Sequence, residues 1–208
     1  MHGLNLVVLA GGAGRRLGGV YKPLLVLCGK PMILRILEAM SGYFDKVTVI
    51  VHDAEQIEAI SDIATGLGLR VDVVRDILEV ASPLNGLYTA SLTVKEGIFA
   101  VVPADTPFIR GETMKTLYRL LDDGTDAVVP RWPNGYVEPL VAVYRREAVR
   151  RALSNAALSG VRVSWLLENI RTKYVSVEEI SENPQREFFN VNTRGDLEVA
   201  QRLCHENH

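Results

Sequence analysis

LAGGAGRRLGGVYK, Leu9 to Lys22, follows directly on the apolar run LNLVVL, Leu4 to Leu9, and this junction decides the fold. A short run rich in leucine and valine reads as a strand buried on both faces. The loop after it carries five glycines, Gly11, Gly12, Gly14, Gly18 and Gly19, and three cations, Arg15, Arg16 and Lys22. Glycines let the backbone turn sharply and bring its N–H groups close to a bound anion. Arginine offers forked donors to phosphate oxygens and lysine a point charge. A strand-to-helix turn needs no such cations in order to fold, so the loop implies a phosphate-bearing ligand. It is not a Walker A loop: Gly14 and Gly19 have the spacing, but Val20 stands where lysine belongs. Nor does it match the dinucleotide fingerprint, because Leu17 stands at the third glycine and no helical pattern begins until after Pro31.

Outward from the loop, β-branched runs alternate with helical patterns. Pro31 suits the start of a helix with Ile33, Ile36, Leu37 and Met40 on one face. Strands are expected at Val47–Val51, Arg70–Val74 and Ile98–Val102, with helices over Glu55–Ala64, from Ser82-Pro83 toward Lys95, and around Met114 and Leu117. Such alternation implies a mostly parallel sheet covered by helices on both sides. The second half is less regular, with strands near Ala127–Val129, Leu140–Tyr144 and Lys173–Val177. One of them should run antiparallel, since Glu138–Tyr144 has no helix-length crossover before it. Thr193 and Asp196 form a capping signature for a last helix that buries Leu197, Ala200 and Leu203.

The bulk properties exclude several classes. A 208-residue chain, 48% hydrophobic and 23% charged, fits one domain spanning 1–208. Its net charge of −2 carries no broad footprint for nucleic acid. No apolar segment approaches the length of a membrane span, and nothing resembles a signal peptide. Cys28 and Cys204, distant in sequence, argue for a reducing compartment over a disulfide framework, so the expected location is cytoplasmic.

A triphosphate brings magnesium, which takes only one or two carboxylates beside the phosphates. Asp105, in PADTPF after the Ile98–Val102 strand, is the metal candidate, because strand carboxyl ends are where an open α/β sheet binds ligands. Asp76 follows a strand to the same edge, and SPLNG, Ser82–Gly86, starts a helix there. An Asx-turn role for Asp105 and a surface role for Asp76 are the competing readings. His52, just past a strand, could contact the base or be a plain loop residue. Glu138 could face the crevice or solvent. Asn190 and Asn192 alternate with apolar residues in FFNVNT, and so could point together at a polar ligand or serve the turn. Trp132 and Trp165 read as packing residues.

Five motifs in order resemble the molybdenum cofactor guanylyltransferase family. LAGGAGRRLGGVYK is similar to that family's LAGGxSxRMGxxK loop, SPLNG to its GPLAG and PADTPF to its PCDTP. EPLVAVY and FNVNTRGDL resemble its late segments. The resemblance implies a Rossmann-like, three-layer α/β fold of the nucleoside-diphospho-sugar transferase type. It also implies transfer of GMP from GTP to the terminal phosphate of molybdopterin with Mg2+, and cofactor delivery proteins as further partners. By position, Leu9, Ala10, Gly11 and Gly12 match the backbone that meets the nucleotide, and Lys22 the phosphate-binding lysine. His52 and Asp76 match nucleotide-contacting positions, Asp105 the magnesium ligand, and Arg16 joins Lys22 and Asp105 in catalysis. The sequence departs from the pattern at Tyr21, Ser82 and Ala104, and has His52 where the family often has asparagine. The loop and FNVNT also resemble adenosylcobinamide-phosphate guanylyltransferases, and the cytidylyltransferase relatives share the loop. A nucleotide-binding protein without catalysis is the reading from another class.

Overall fold

The sheet is built around the first apolar run. The computed structural model describes residues 4–11, 16–17, 20–64, 70–79, 82–154, 156 and 158–205. In chain order, β1 (Asn5–Leu9) leads into two small ribbons, β2 (Arg16–Leu17) with β3 (Val20–Tyr21) and β4 (Val26–Leu27) with β5 (Lys30–Pro31). Then come α1 (Met32–Met40), β6 (Lys46–Val51), α2 (Glu55–Ala64), β7 (Arg70–Arg75), α3 (Pro83–Thr93) and β8 (Ile98–Pro103). The second half holds α4 (Gly111–Arg119), β9 (Ala127–Arg131), β10 (Ala142–Arg145), α5 (Arg146–Leu153) and α6 (Val163–Glu168). It closes with β11 (Thr172–Ser176), α7 (Val177–Ile180), α8 (Pro184–Glu187) and α9 (Arg194–His205).

Seven strands form one sheet in the order β11-β9-β10-β8-β1-β6-β7. β8, β1, β6 and β7 run parallel, as βαβ crossovers require. β10 is antiparallel to both β8 and β9, which is the reversal expected from the short connection before it. Successive side chains of β1 enter opposite cores. Leu6 and Val8 pack with Ile36 of α1, Ile60 of α2 and Met114 of α4. Val7 packs with Leu87 of α3, Val149 of α5 and Leu166 of α6. Helices thus cover both faces of a mixed, mostly parallel sheet, and burial on both faces is why β1 is apolar from Leu6 to Leu9.

The chain runs from β1 to β6 on one side and later to β8 on the other. β1 and β8 therefore flank the topological switch point, where a crevice opens at the strands' carboxyl ends. Main-chain bonds carry the ladder one step beyond the strands: Ala10 N–H to Ile50 O (2.8 Å), Asp76 N–H to Val51 O (2.7 Å) and Ala104 N–H to Leu9 O (2.9 Å). These place Gly11, Asp76 and Asp105 along one edge.

The cysteine expectation is overturned. Cys28, just past β4, and Cys204 on α9 form a disulfide, their Cα atoms 6.4 Å apart. A separation of 176 residues hid the contact, because α9 returns to pack on β4 through Leu25, Leu27, Val191 and Ala200. The argument for a reducing compartment from unpaired thiols therefore falls. Among the described residues no helix is long and apolar enough to cross a membrane.

Candidate active site

The crevice has a volume of about 400 Å³ and draws its walls from every motif singled out above. On one side stand Leu9, Ala10, Gly11 and Asp76. Gly11 sits in a tight spot: a Cβ there would lie 3.1 Å from both the Asp76 carboxylate and the His52 backbone nitrogen, so one of them would have to give by a few tenths of an ångström. Gly86 likewise lets α3 approach β1, since its Cβ would meet Leu9 Cδ2 at 2.9 Å. The start of α3, with Ser82 Oγ accepting from Leu84 N–H (3.2 Å) and Pro83 in the first turn, faces the same space. A helix N-terminus directed there favours a bound anion.

Asp76 is held in place by α3. Thr89 Oγ1 donates to its Oδ1 at 3.4 Å and also accepts the Ile77 N–H at 3.1 Å. Asn85, fully buried, braces the loop by donating to Leu78 O (2.6 Å) and accepting from Leu78 N–H (3.3 Å). His52 does not stand on the crevice wall. It is 6% exposed and lies behind Asp76, with Nδ1 3.6 Å from Asp76 Oδ2.

At the centre, Lys22 Nζ donates to Asp105 Oδ2 at 2.8 Å and to Asn192 Oδ1 at 2.7 Å. A short 3-10 turn, Lys22–Leu24, fixed by Pro23, presents the lysine. The Asp105-Thr106 segment is joined to the late motif by two bonds, Val191 N–H to Asp105 O (2.9 Å) and Thr106 Oγ1 to Asn190 Oδ1 (2.8 Å). Asn190 and Asn192 do line one face of the crevice. Asn192 is set by the start of α9, where Asp196 Oδ2 accepts N–H bonds from Asn192 (2.9 Å) and Thr193 (2.7 Å) and Thr193 Oγ1 accepts from Asp196 (3.1 Å). The Asn192 bond holds the Asp196 carboxyl below its ordinary range, assisted by Thr193 and the charge of Lys22. A carboxyl with a depressed folded pKa contributes stability that is complete above its unfolded value and disappears as pH falls through the folded one. Thr193→Ala should therefore cost about 1 kcal/mol at pH 7, measured by urea unfolding. The cost should shrink as pH falls through the depressed pKa of Asp196, where its protonation releases the Asn192 and Thr193 N–H groups in both proteins.

Tyr21, one of the departures from the family pattern, donates its hydroxyl to Ala10 O at 2.6 Å and so ties the returning ribbon to the end of β1. Burial, aided by the charges of Asp53 and Asp76, keeps the phenol protonated far beyond neutral pH. Gly12, Gly14 and Arg15 lie outside the described residues. Arg16 contributes its backbone to β2, and its side chain also lies outside them.

The opposite wall was the least legible in the sequence. A hairpin folds back from β9, with Trp132 N–H to Tyr136 O (2.8 Å) and Glu138 N–H to Pro130 O (2.9 Å). Gly135, at φ +89°, makes the turn. Tyr136 and Glu138, two residues apart, both line the crevice. Trp132 Nε1 donates to Glu138 Oε1 at 2.8 Å, so this tryptophan packs on Phe188 and also orients a site carboxyl. Burial raises the Glu138 carboxyl above its ordinary value, and the negative charge of Asp105 adds to the rise. Tyr136 was missed; its period-2 spacing from Glu138 after an Asn-Gly turn was the available signal.

No cluster of three acidic, histidine or cysteine side chains suited to a metal occurs among the described residues. Asp105 offers one hard oxygen donor at the crevice floor. That donor set suits magnesium arriving with a triphosphate, which keeps water and phosphate oxygens as its other ligands.

The MobA-like NTP transferase domain family matches residues 6–171 of the chain. A Bacillus subtilis protein described as a probable molybdenum cofactor guanylyltransferase is 34% identical over 92% of this chain and 91% of its own length. A Pyrococcus furiosus protein of the same description is 34% identical over 96% of this chain and 97% of its own. Among solved structures, molybdopterin-guanine dinucleotide biosynthesis protein A from Archaeoglobus fulgidus superposes with a TM-score of 0.82 at 30% identity. That superposition covers 98% of this chain and 100% of the other.

Proposed function

The chain belongs to the MobA-like NTP transferase domain family, and from that premise we propose that it transfers GMP from GTP to the terminal phosphate of molybdopterin, releasing pyrophosphate. The observation that carries the reading is the Lys22–Asp105–Asn192 cluster, where the first loop, the central motif and the last motif meet in one crevice. All of residues 1–208 serve this one activity.

An oxygen of the acceptor phosphate attacks the α-phosphorus. A new phosphorus–oxygen bond forms as the bond between the α-phosphorus and the bridging oxygen breaks, and the electron pair leaves with pyrophosphate. The attacking oxygen is already ionised, so no side-chain base is required. Catalysis is then alignment and charge stabilisation. Lys22 and the glycine-rich backbone, with Arg16, hold the departing phosphates. Leu9, Ala10, Gly11 and Gly12 form the seat of the nucleoside, with Asp76 at its edge and His52 supporting Asp76 from behind. Asp105 would hold magnesium, which when bound neutralises phosphate charge. The enzyme works in the cytoplasm, where its triphosphate substrate is made, and hands its product to cofactor delivery proteins.

Pyrophosphate release measured with GTP or CTP, and with molybdopterin or adenosylcobinamide phosphate, tests this reading. Release should require GTP, molybdopterin and magnesium together. Preference for CTP, for the corrinoid acceptor, or no release with any pair would overturn it.

A further inference from the structure

Sheet order lays out the crevice from end to end. Asp76 follows β7, Gly11 follows β1 and Asp105 follows β8, while Glu138 precedes the antiparallel β10 on the far side. Neighbouring strands are about 4.8 Å apart, so the β10 end of the crevice lies about 19 Å from the β7 end in the sheet direction. A nucleoside seated on Leu9–Gly11 and Asp76 with its phosphates at Lys22 leaves the Glu138 end for the acceptor.

That end has a defined chemistry. Glu138 is 8% exposed and lines the crevice, yet no cation pairs with it among the described residues. Trp132 occupies Oε1, and no described donor reaches Oε2. Pro139, Leu140 and Val163 make the surrounding wall apolar. A carboxylate buried in such a wall is costly unless something donates to it. Tyr136, 60% exposed at the same rim, offers an unused aromatic face.

We propose that Glu138 and Tyr136 form the acceptor-recognition subsite, where Glu138 Oε2 accepts N–H bonds from the edge of a flat, nitrogen-rich heterocycle whose face lies on the Tyr136 ring. The assignment deepens the reading above and rests on it, since a pterin presents such an edge and face. A corrinoid, whose N–H groups are on flexible amide arms, does not. Exchanging the carboxylate for an amide replaces the free acceptor by a donor while leaving an oxygen for Trp132.

The test uses the intact chain and its Glu138→Gln, Tyr136→Ala and Tyr136→Phe variants. Affinity for 6-hydroxymethylpterin is read by fluorescence titration, GTP affinity by calorimetry and the KM for molybdopterin by pyrophosphate release. Glu138→Gln should weaken pterin binding and raise the acceptor KM by at least about tenfold, because a site polar group is mispaired. GTP affinity should stay within about twofold. Tyr136→Ala should weaken pterin binding about fivefold and Tyr136→Phe should preserve it. Unchanged pterin affinity in Glu138→Gln, a parallel loss of GTP affinity, or no pterin binding by the wild type would overturn the subsite. If the wild type releases pyrophosphate with molybdopterin but Glu138→Gln keeps its KM, the subsite falls and the activity stands. If the wild type binds pterin through Glu138 yet uses only another acceptor, the activity falls and the subsite stands.

Discussion

Asp105→Ala should lower GTP-dependent pyrophosphate release by about a thousandfold, ~4 kcal/mol of transition-state stabilisation, while the protein stays folded. The magnitude follows from the position of this carboxylate. It sits at the switch point of the sheet with its main-chain oxygen bonded to Val191, so its direction is set by two elements at once. It also pairs with Lys22, the lysine proposed to bind phosphate, 2.8 Å from its Nζ. Folding should survive because Asp105 remains partly exposed and Lys22 retains Asn192 as an acceptor. The melting temperature of the variant, followed by circular dichroism, is expected within a few degrees of the wild type. Asp105→Asn should be nearly as impaired as alanine, since an amide keeps the shape and loses the charge. Turnover within tenfold of the wild type in either folded variant would remove Asp105 from the reaction.

The two halves of the site differed in how plainly the sequence showed them. Leu4–Leu9 and Ile98–Val102 are buried on both faces, so their apolar runs announced parallel central strands, and the motifs at their ends fell on one edge. Ser82-Pro83 declared a helix start because the cap is local chemistry, and the structure has that bond. Glu55–Ala64 is a helix over the same residues. Less visible were contacts that depend on return of the chain. Cys28 meets Cys204 only because α9 packs on β4, and nothing within either segment encodes the partner. His52 follows its strand as read, yet its side chain turns behind Asp76 into a space bounded by Gly11. Strand position fixes the edge that a residue reaches, not the side of a loop from which it looks out. Tyr136 escaped notice because its hairpin is short and irregular. Its partner Glu138 stood out only as an acid entering an apolar strand.

Lys22→Ala should reduce turnover by about a hundred- to a thousandfold and, unlike the loss of Asp105, should weaken nucleotide binding as well. Lys22 and Asp105 satisfy one another in the structure, and in the proposed reaction both change partner as the triphosphate enters: the ammonium turns to phosphate oxygens and the carboxylate to a cation. The two substitutions should therefore act oppositely on metal-free GTP. Removing Lys22 deletes an attractive charge, whereas removing Asp105 deletes a repulsive one and frees the lysine. In EDTA, calorimetry should show Asp105→Ala binding GTP at least as tightly as the wild type, and Lys22→Ala binding it about tenfold more weakly. Lys22→Arg should not restore activity, because the slot is only 9% exposed and a point charge between two oxygens is not replaced by a planar fork. The double variant should be impaired less than the product of the single losses, as residues acting as a unit are not additive. Weaker metal-free binding in Asp105→Ala would mean that its carboxylate serves the nucleotide directly, and the exchange of partners would have to be abandoned.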